Sequence, residues 1–231
     1  MGDDIAAAHL SDWRKLAQGL HARFLLEDFA AGARFLVAVA DAGASLAHHP
    51  RVSLVDDAVD LTLISQDAVY READGTEHVV AWVTQRDVDL ARRITQIAAA
   101  HGLVADPASV TQIELGLDAA DSARIAPVWA QLLTGSAEAQ GHGSPSDEIR
   151  DVRGRVPNLW FGDGAEGDAP GSRFHLEIYL APEVVRARID AAVAAGAEIV
   201  DDSDSPGLTV LADQEGNHAV ICADVSAATG L

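Results

Sequence analysis

The chain has 231 residues, of which 48% are apolar, with a formal charge of −20 and a mean hydropathy of +0.08. That length suits one large domain or two small ones with real cores. The charge excludes nucleic acid and anionic membrane as partners, since both need clustered Lys and Arg, and no run nears the roughly 20 apolar residues that cross a bilayer. The start, Met1-Gly2-Asp3-Asp4, is acidic and no apolar segment follows, so no signal peptide is expected. A lone cysteine, Cys222, cannot form an intramolecular disulfide, and the chain reads as cytoplasmic. Lysine is reduced to Lys15 while Arg and Ala abound, which we read as the coding bias of a high-GC, bacterial genome.

Residues 1–12 read as a short helix or arm. Trp13 to Leu16 and Leu20 to Leu26 flank Gln18-Gly19 as a hairpin, and the alternation of Leu20, Ala22, Phe24 and Leu26 with His21 and Arg23 predicts one buried face. Asp28 is a helix cap, because its carboxylate accepts otherwise unpaired N–H groups of the first turn. Phe29, Phe35, Leu36, Val39 and Ala40 then recur at helical spacing over 28–47. The pattern stops at His48-His49-Pro50, since proline drives the preceding residue out of the helical region. A buried helix thus delivers two adjacent imidazoles, the side chains that titrate nearest neutrality, to one edge of a domain.

Strands follow at Val52–Val55 and Val59–Ile64, and Asp74-Gly75 is the turn of an extra hairpin made by Asp67–Arg71 and Glu77–Val83. A second helix runs from Thr84 to His101-Gly102 with Val88, Ala91, Ile94 and Ile97 on one face. Two helices on one face of a four-stranded antiparallel sheet result, an α+β domain over 1–103. Leu103 to Ser109 reads as a linker. The second unit, 108–226, starts with a strand at Thr111–Leu117 and a helix at Asp121–Leu133. A polar loop covers Gly135–Asp147, then Arg150–Arg155 and Asn158–Gly162 read as paired strands, with another loop at Glu166–Gly171. Phe174–Leu180 is a strand, Pro182–Ala195 a helix, and Ala197–Val200, Leu208–Ala212 and His218–Cys222 are strands. Strand, helix, strands thus occurs twice, a paired βαβββ arrangement.

Most of residues 10–98 resembles the pterin-4a-carbinolamine dehydratase family. The resemblance rests on Trp13, Leu20 to Phe29, the helix ending in His48-His49-Pro50, the strands after it and Thr84-Gln85-Arg86-Asp87-Val88-Asp89-Leu90-Ala91. It implies loss of water from a 4a-hydroxy-tetrahydropterin, without metal or other cofactor. His48 and His49 would be the acid/base pair, Asp87 would orient a histidine or the substrate, and Pro50 and Gln66 would bind the substrate. Gln66 stands where the family normally has a third histidine, and Ala44 and Ala47 replace polar residues before the pair. The family also implies a homodimer or homotetramer.

The second unit resembles the glyoxalase/bleomycin-resistance (vicinal oxygen chelate) superfamily through Gln112-Ile113-Glu114-Leu115, Phe174-His175-Leu176-Glu177 and Asp213-Gln214-Glu215-Gly216-Asn217-His218. Metal-dependent members use inward His, Gln or Glu. His175, Gln112 and Glu114 are weak candidates here, while Val220 occupies the closing-strand ligand position, so no metal is expected. Asp201-Asp202-Ser203-Asp204 lacks the spaced ligands of a calcium loop. Three readings follow: a hydro-lyase acting on a pterin, a catalytically decayed small-molecule-binding protein whose second domain holds a further ligand, and a metal-dependent lyase or dioxygenase centred on His175.

Overall fold

The computed structural model describes residues 10–136, 148–151, 154–163, 174–214, 216 and 218–225. The expected arm over 1–12 and the expected loop Gly135–Asp147 fall mostly outside these residues, and the expected loop Glu166–Gly171 falls wholly outside them. The fold is α+β, with two separate mixed layers.

The first layer begins with a hairpin, β1 (Arg14–Leu16) and β2 (Gly19–Leu25). Its turn needs Ala17 in the left-handed region, at φ +47°. Helix α1 (Phe29–Leu46) starts on Asp28, whose Oδ1 accepts the Ala31 N–H at 2.6 Å. It ends on Ala47 at φ +48°, where the Ala47 and His48 N–H groups turn back to the Ala44 and Gly43 carbonyls. This left-handed cap satisfies carbonyls that the helix leaves orphaned. Strands β3 (Arg51–Leu54) and β4 (Ala58–Leu63) follow, then the hairpin β5 (Ser65–Arg71) and β6 (Glu77–Trp82), which forms a separate ribbon. Helix α2 (Gln85–Ala100) leads to β7 (Val104–Ala105).

The sheet order is β1-β2-β4-β3, with β7 also pairing β2. The stretch expected as a linker therefore supplies a strand. Three-residue β1 covers only the start of β2, so the edge at Phe24 and Leu25 is open for Ala105 and Val104. Leu20, Ala22, Phe24, Leu61 and Leu63 face Phe35, Val39, Leu90 and Ile94 of the helices in one core. Phe24 and Phe35 meet edge-to-face at 5.5 Å, a geometry that adds about 1 kcal/mol to burial. By length and a mean hydropathy of 1.4, α1 meets the measure of a membrane span; here Gly32, Phe35, Val39 and Gly43 are buried against the sheet.

The second layer is a seven-stranded sheet in the order β12-β13-β14-β11-β8-β10-β9. Its first half is β8 (Thr111–Ala119), α3 (Ser122–Thr134), β9 (Glu148–Ile149) and β10 (Leu159–Asp163). The second half is β11 (Phe174–Leu180), α4 (Pro182–Ala194), β12 (Glu198–Asp201), β13 (Leu208–Ala212) and β14 (His218–Cys222). In each half the first strand pairs in parallel with the last, β8 with β10 and β11 with β14, and β8 meets β11 antiparallel at the centre. This is the expected repeat, with one correction. Among the described residues of Arg150–Arg155 none pairs with β10; Glu148–Ile149 does. Asp151 accepts the Arg155 backbone N–H at 2.9 Å, and the Gly154 N–H bonds the Asp151 carbonyl at 2.7 Å. Helices α3 and α4 cover one face through two apolar clusters, around Leu117–Leu159 and Leu180–Ile221.

Candidate functional site between the two sheets

Strand alternation sends every second residue to the face opposite the helices. On the first sheet, register aligns Arg14, His21, Thr62 and Arg51 in one cross-strand row. On the second, the row is Gln112, Glu114 and Gly116 of β8 against Tyr179, Glu177 and His175 of β11, with Trp160 beside Gly116. These two polar faces meet. Arg14 pairs with Glu183, and Gln18 at the β1–β2 turn accepts from Asn158 Nδ2 at 3.2 Å and donates toward Glu114 Oε2 at 3.4 Å. Asn158 also donates to Glu114 Oε1 at 3.0 Å. Gly154, at φ +63°, has no Cβ where the Arg51 side chain packs against it.

Between the faces lies a cavity of about 280 Å³. The first sheet and its flanks contribute His21, His49, Arg51, Thr62 and Gln66, and the second contributes Gln112, Glu114, Arg150, Asp151 and Asn158. His49 arrives there because of the α1 cap. A Cβ on Gly43 would sit 2.6 Å from the His48 carbonyl oxygen and 2.7 Å from His49 Cδ2, so glycine lets the imidazole lie against the helix.

His48 turns away from the cavity to Asp87. Its Nε2 lies 2.7 Å from Asp87 Oδ1. Asp87 is fully buried, and its Oδ2 accepts the Thr84 N–H (2.7 Å), Thr84 Oγ1 (2.9 Å) and Ser65 Oγ (2.7 Å). Asp87 therefore closes the capping box of α2 and holds the histidine at once. A carboxylate can only accept, so His48 Nε2 is the donor in this contact. Gln66 is exposed at the start of β5 and lines the cavity; Pro50 leads the chain into β3 and does not.

Sequence reading missed His21. Strand alternation placed it on the polar face, but nothing local distinguished that face from solvent. It is 9% exposed, lies 3.4 Å from Thr62 Oγ1, and is pushed down to about 4 by burial first and then by the Arg51 charge. Glu114, only 2% exposed, is pushed up to about 7, mainly by burial and then, against the bonds from Gln18 and Asn158, by the nearby Glu148 and Glu177 charges.

The three candidate metal ligands serve other partners. Glu114 takes the two amides, Gln112 Nε2 donates to the Ile113 carbonyl at 3.1 Å, and the His175 ring stacks edge-on against Trp160 at 5.4 Å over Gly116. Among the described residues no group of three His, Cys, Asp or Glu is placed to hold a metal ion. The donor set does not fit a metal centre. A second cavity, of about 440 Å³, lies beside Lys15, Trp82, Glu177, Tyr179 and Cys222. Tyr179 donates to Glu177 Oε2 at 2.6 Å, Lys15 is lowered by burial, and burial pushes Cys222 up to about 12.

Comparison with known proteins agrees with this division. Residues 2–97 match the family model "Pterin 4 alpha carbinolamine dehydratase", and residues 114–222 match "Glyoxalase-like domain". A protein of Thermosynechococcus vestitus named "Putative pterin-4-alpha-carbinolamine dehydratase" is 29% identical over 91 residues, 39% of this chain and 83% of that protein. One of Koribacter versatilis with the same name is 29% identical over 92 residues, 40% of this chain and 85% of its own. The crystal structure of a transcriptional coactivator/pterin dehydratase from Brucella melitensis aligns at 24% identity and a TM-score of 0.33, over 42% of this chain and 92% of that one. The chain thus matches the pterin-4α-carbinolamine dehydratase family over residues 2–97 and a glyoxalase-like domain over residues 114–222.

Proposed function

We propose that this protein is a hydro-lyase that eliminates water from a 4a-hydroxy-tetrahydropterin. The observation that carries the reading is the delivery of His49 to the cavity between the two sheets by the same cap that docks His48 on the buried Asp87. His49 handles the proton at the ligand, and His48 stands behind it, docked on Asp87 so that the histidine pair keeps its position. Gln66, which lines the cavity, holds the substrate through its amide, while Pro50 only fixes the chain between His49 and β3. No cofactor enters the reaction; the pterin is the substrate. The working units are 1–103 and 108–226, and the protein acts in the cytoplasm as a homodimer or homotetramer.

A second reading is favoured by Gln66, which hydrogen-bonds but cannot shuttle a proton: a protein that binds pterin without turnover. A stopped-flow dehydration assay, with 4a-hydroxy-tetrahydropterin generated in situ, separates the two. Acceleration by wild type and its loss in His48→Ala/His49→Ala supports the lyase. Acceleration by Gln66→His alone assigns the natural protein to binding. No acceleration by either overturns the lyase reading.

A further inference from the structure

Elimination at C4a needs two proton-handling groups in contact with the ligand, one for the departing hydroxyl and one for N5–H. Of the side chains that line the 280 Å³ cavity, His49, His21, Asp151 and Glu114 are of proton-exchanging types, and the Asp151 carboxylate is taken up by the Arg155 guanidinium and backbone N–H, both at 2.9 Å. His21 is excluded as an acid at neutral pH, because burial and Arg51 keep it uncharged. His48 is committed to Asp87 and does not line the cavity. That leaves His49 on one domain and Glu114 on the other.

We propose that Glu114 of the glyoxalase-like domain is the general acid of the dehydration, so that the active site is completed across the two domains. The inference rests on the lyase reading above. Three observations support it besides the shared cavity. Glu114 is held in place by Gln18 and Asn158 without a cation on its oxygens, so it keeps a stable position in both protonation states. Its carboxyl stays half protonated near neutrality under burial, with Glu148 of β9 and Glu177 of β11 adding negative charge. The other charged and titratable groups around it are Lys15 of β1, Tyr179 of β11, Cys222 of β14 and Arg150, which follows β9. Arg150 is paired to Glu148 through Nε at 3.0 Å, and its buried Nη1 has no partner among the described residues. It is thus a donor placed for a ligand carbonyl, with Glu148 already absorbing its charge.

The step balances without a further reagent. Glu114 gives its proton to the 4a-hydroxyl as the C4a–O bond breaks and water leaves. The N5–H proton passes to His49, and the electron pair of that bond forms C4a=N5 of the quinonoid dihydropterin. Return of the proton from His49 to the Glu114 carboxylate through the cavity water restores the starting state.

The test uses the full chain and three variants, Glu114→Gln, Glu114→Asp and Asn158→Ala. Glutamine keeps the shape, and its amide oxygen still accepts from one of Gln18 and Asn158. The expected result is a loss of 10²–10³ in kcat for Glu114→Gln, in the range of general-acid contributions, with little change in KM. The alkaline limb of the wild-type profile near pH 7 disappears in that variant. Glu114→Asp recovers part of the rate and Asn158→Ala moves the limb. Wild-type turnover with an unchanged profile in Glu114→Gln overturns this proposal and leaves the lyase reading standing. Absence of wild-type turnover overturns both.

Discussion

His48 Nε2 and Asp87 Oδ1 stand 2.7 Å apart across the first domain, joining the C-terminal end of one helix to the N-terminal turn of the next. Asp87→Asn removes an acceptor that faces three other donors and presents an N–H to His48 or to Thr84. The variant is expected to lose about 1–3 kcal/mol in urea unfolding, the cost of leaving buried donors unmatched, and at least tenfold in dehydration rate. Ser65→Ala removes one of the same donors and leaves His48 docked, so it is expected to lose stability without the rate.

Gly43→Ala places a methyl against the His48 carbonyl and the His49 ring. Overpacking against backbone costs about 1–3 kcal/mol, and the displaced His49 no longer faces the cavity. Thermal melts and the dehydration assay together check this: both stability and rate fall. Ala47→Gly works in the opposite direction. Ala47 sits at φ +48°, where a Cβ costs roughly 1 kcal/mol, so the variant is expected to melt about 2–4 °C higher with the rate unchanged.

The pH dependence of stability carries two opposite signs. His21 is held to about 4 in the fold against 6.5 in the unfolded chain. Its contribution is complete above pH 6.5 and is lost as pH falls toward 4, up to about 3 kcal/mol. Glu114 is raised to about 7 against 4.5, so its contribution is complete below 4.5 and is lost as pH rises through 7. Urea midpoints from pH 4 to 8 are expected to fall less steeply on the acid side in His21→Gln and less steeply on the alkaline side in Glu114→Gln.

Phe29 and Val37 of α1 are exposed while Phe35 and Val39 of the same helix are buried. Exposed apolar side chains on a strongly charged chain are what self-association would cover. Light scattering is expected to give the mass of a dimer or tetramer for wild type and a smaller mass for Val37→Glu. A monomeric wild type sinks the idea.

The helices, most strands and the His48-His49-Pro50 end of α1 were legible in the sequence because local forces set them. Asp28 caps from three residues away, Phe35 and Val39 repeat with the helical period, and the helix stops at Ala47, just ahead of Pro50. Asp87 was expected to orient a histidine or the substrate; in the structure its one carboxylate closes the capping box of α2 and bonds His48. Three things depended on the tertiary structure. Val104–Ala105 becomes a strand only because β1 is too short to cover β2. His21 and Glu114 alternate as polar residues on their strands, and alternation does not say whether water or another sheet lies opposite. Gln112, Glu114 and His175 share a face as a ligand set would, yet Gln18 and Asn158 from distant parts of the chain take up the carboxylate. Sequence patterns report which face a residue occupies; the burial that tunes its proton affinity comes from whatever packs on that face, here the other domain.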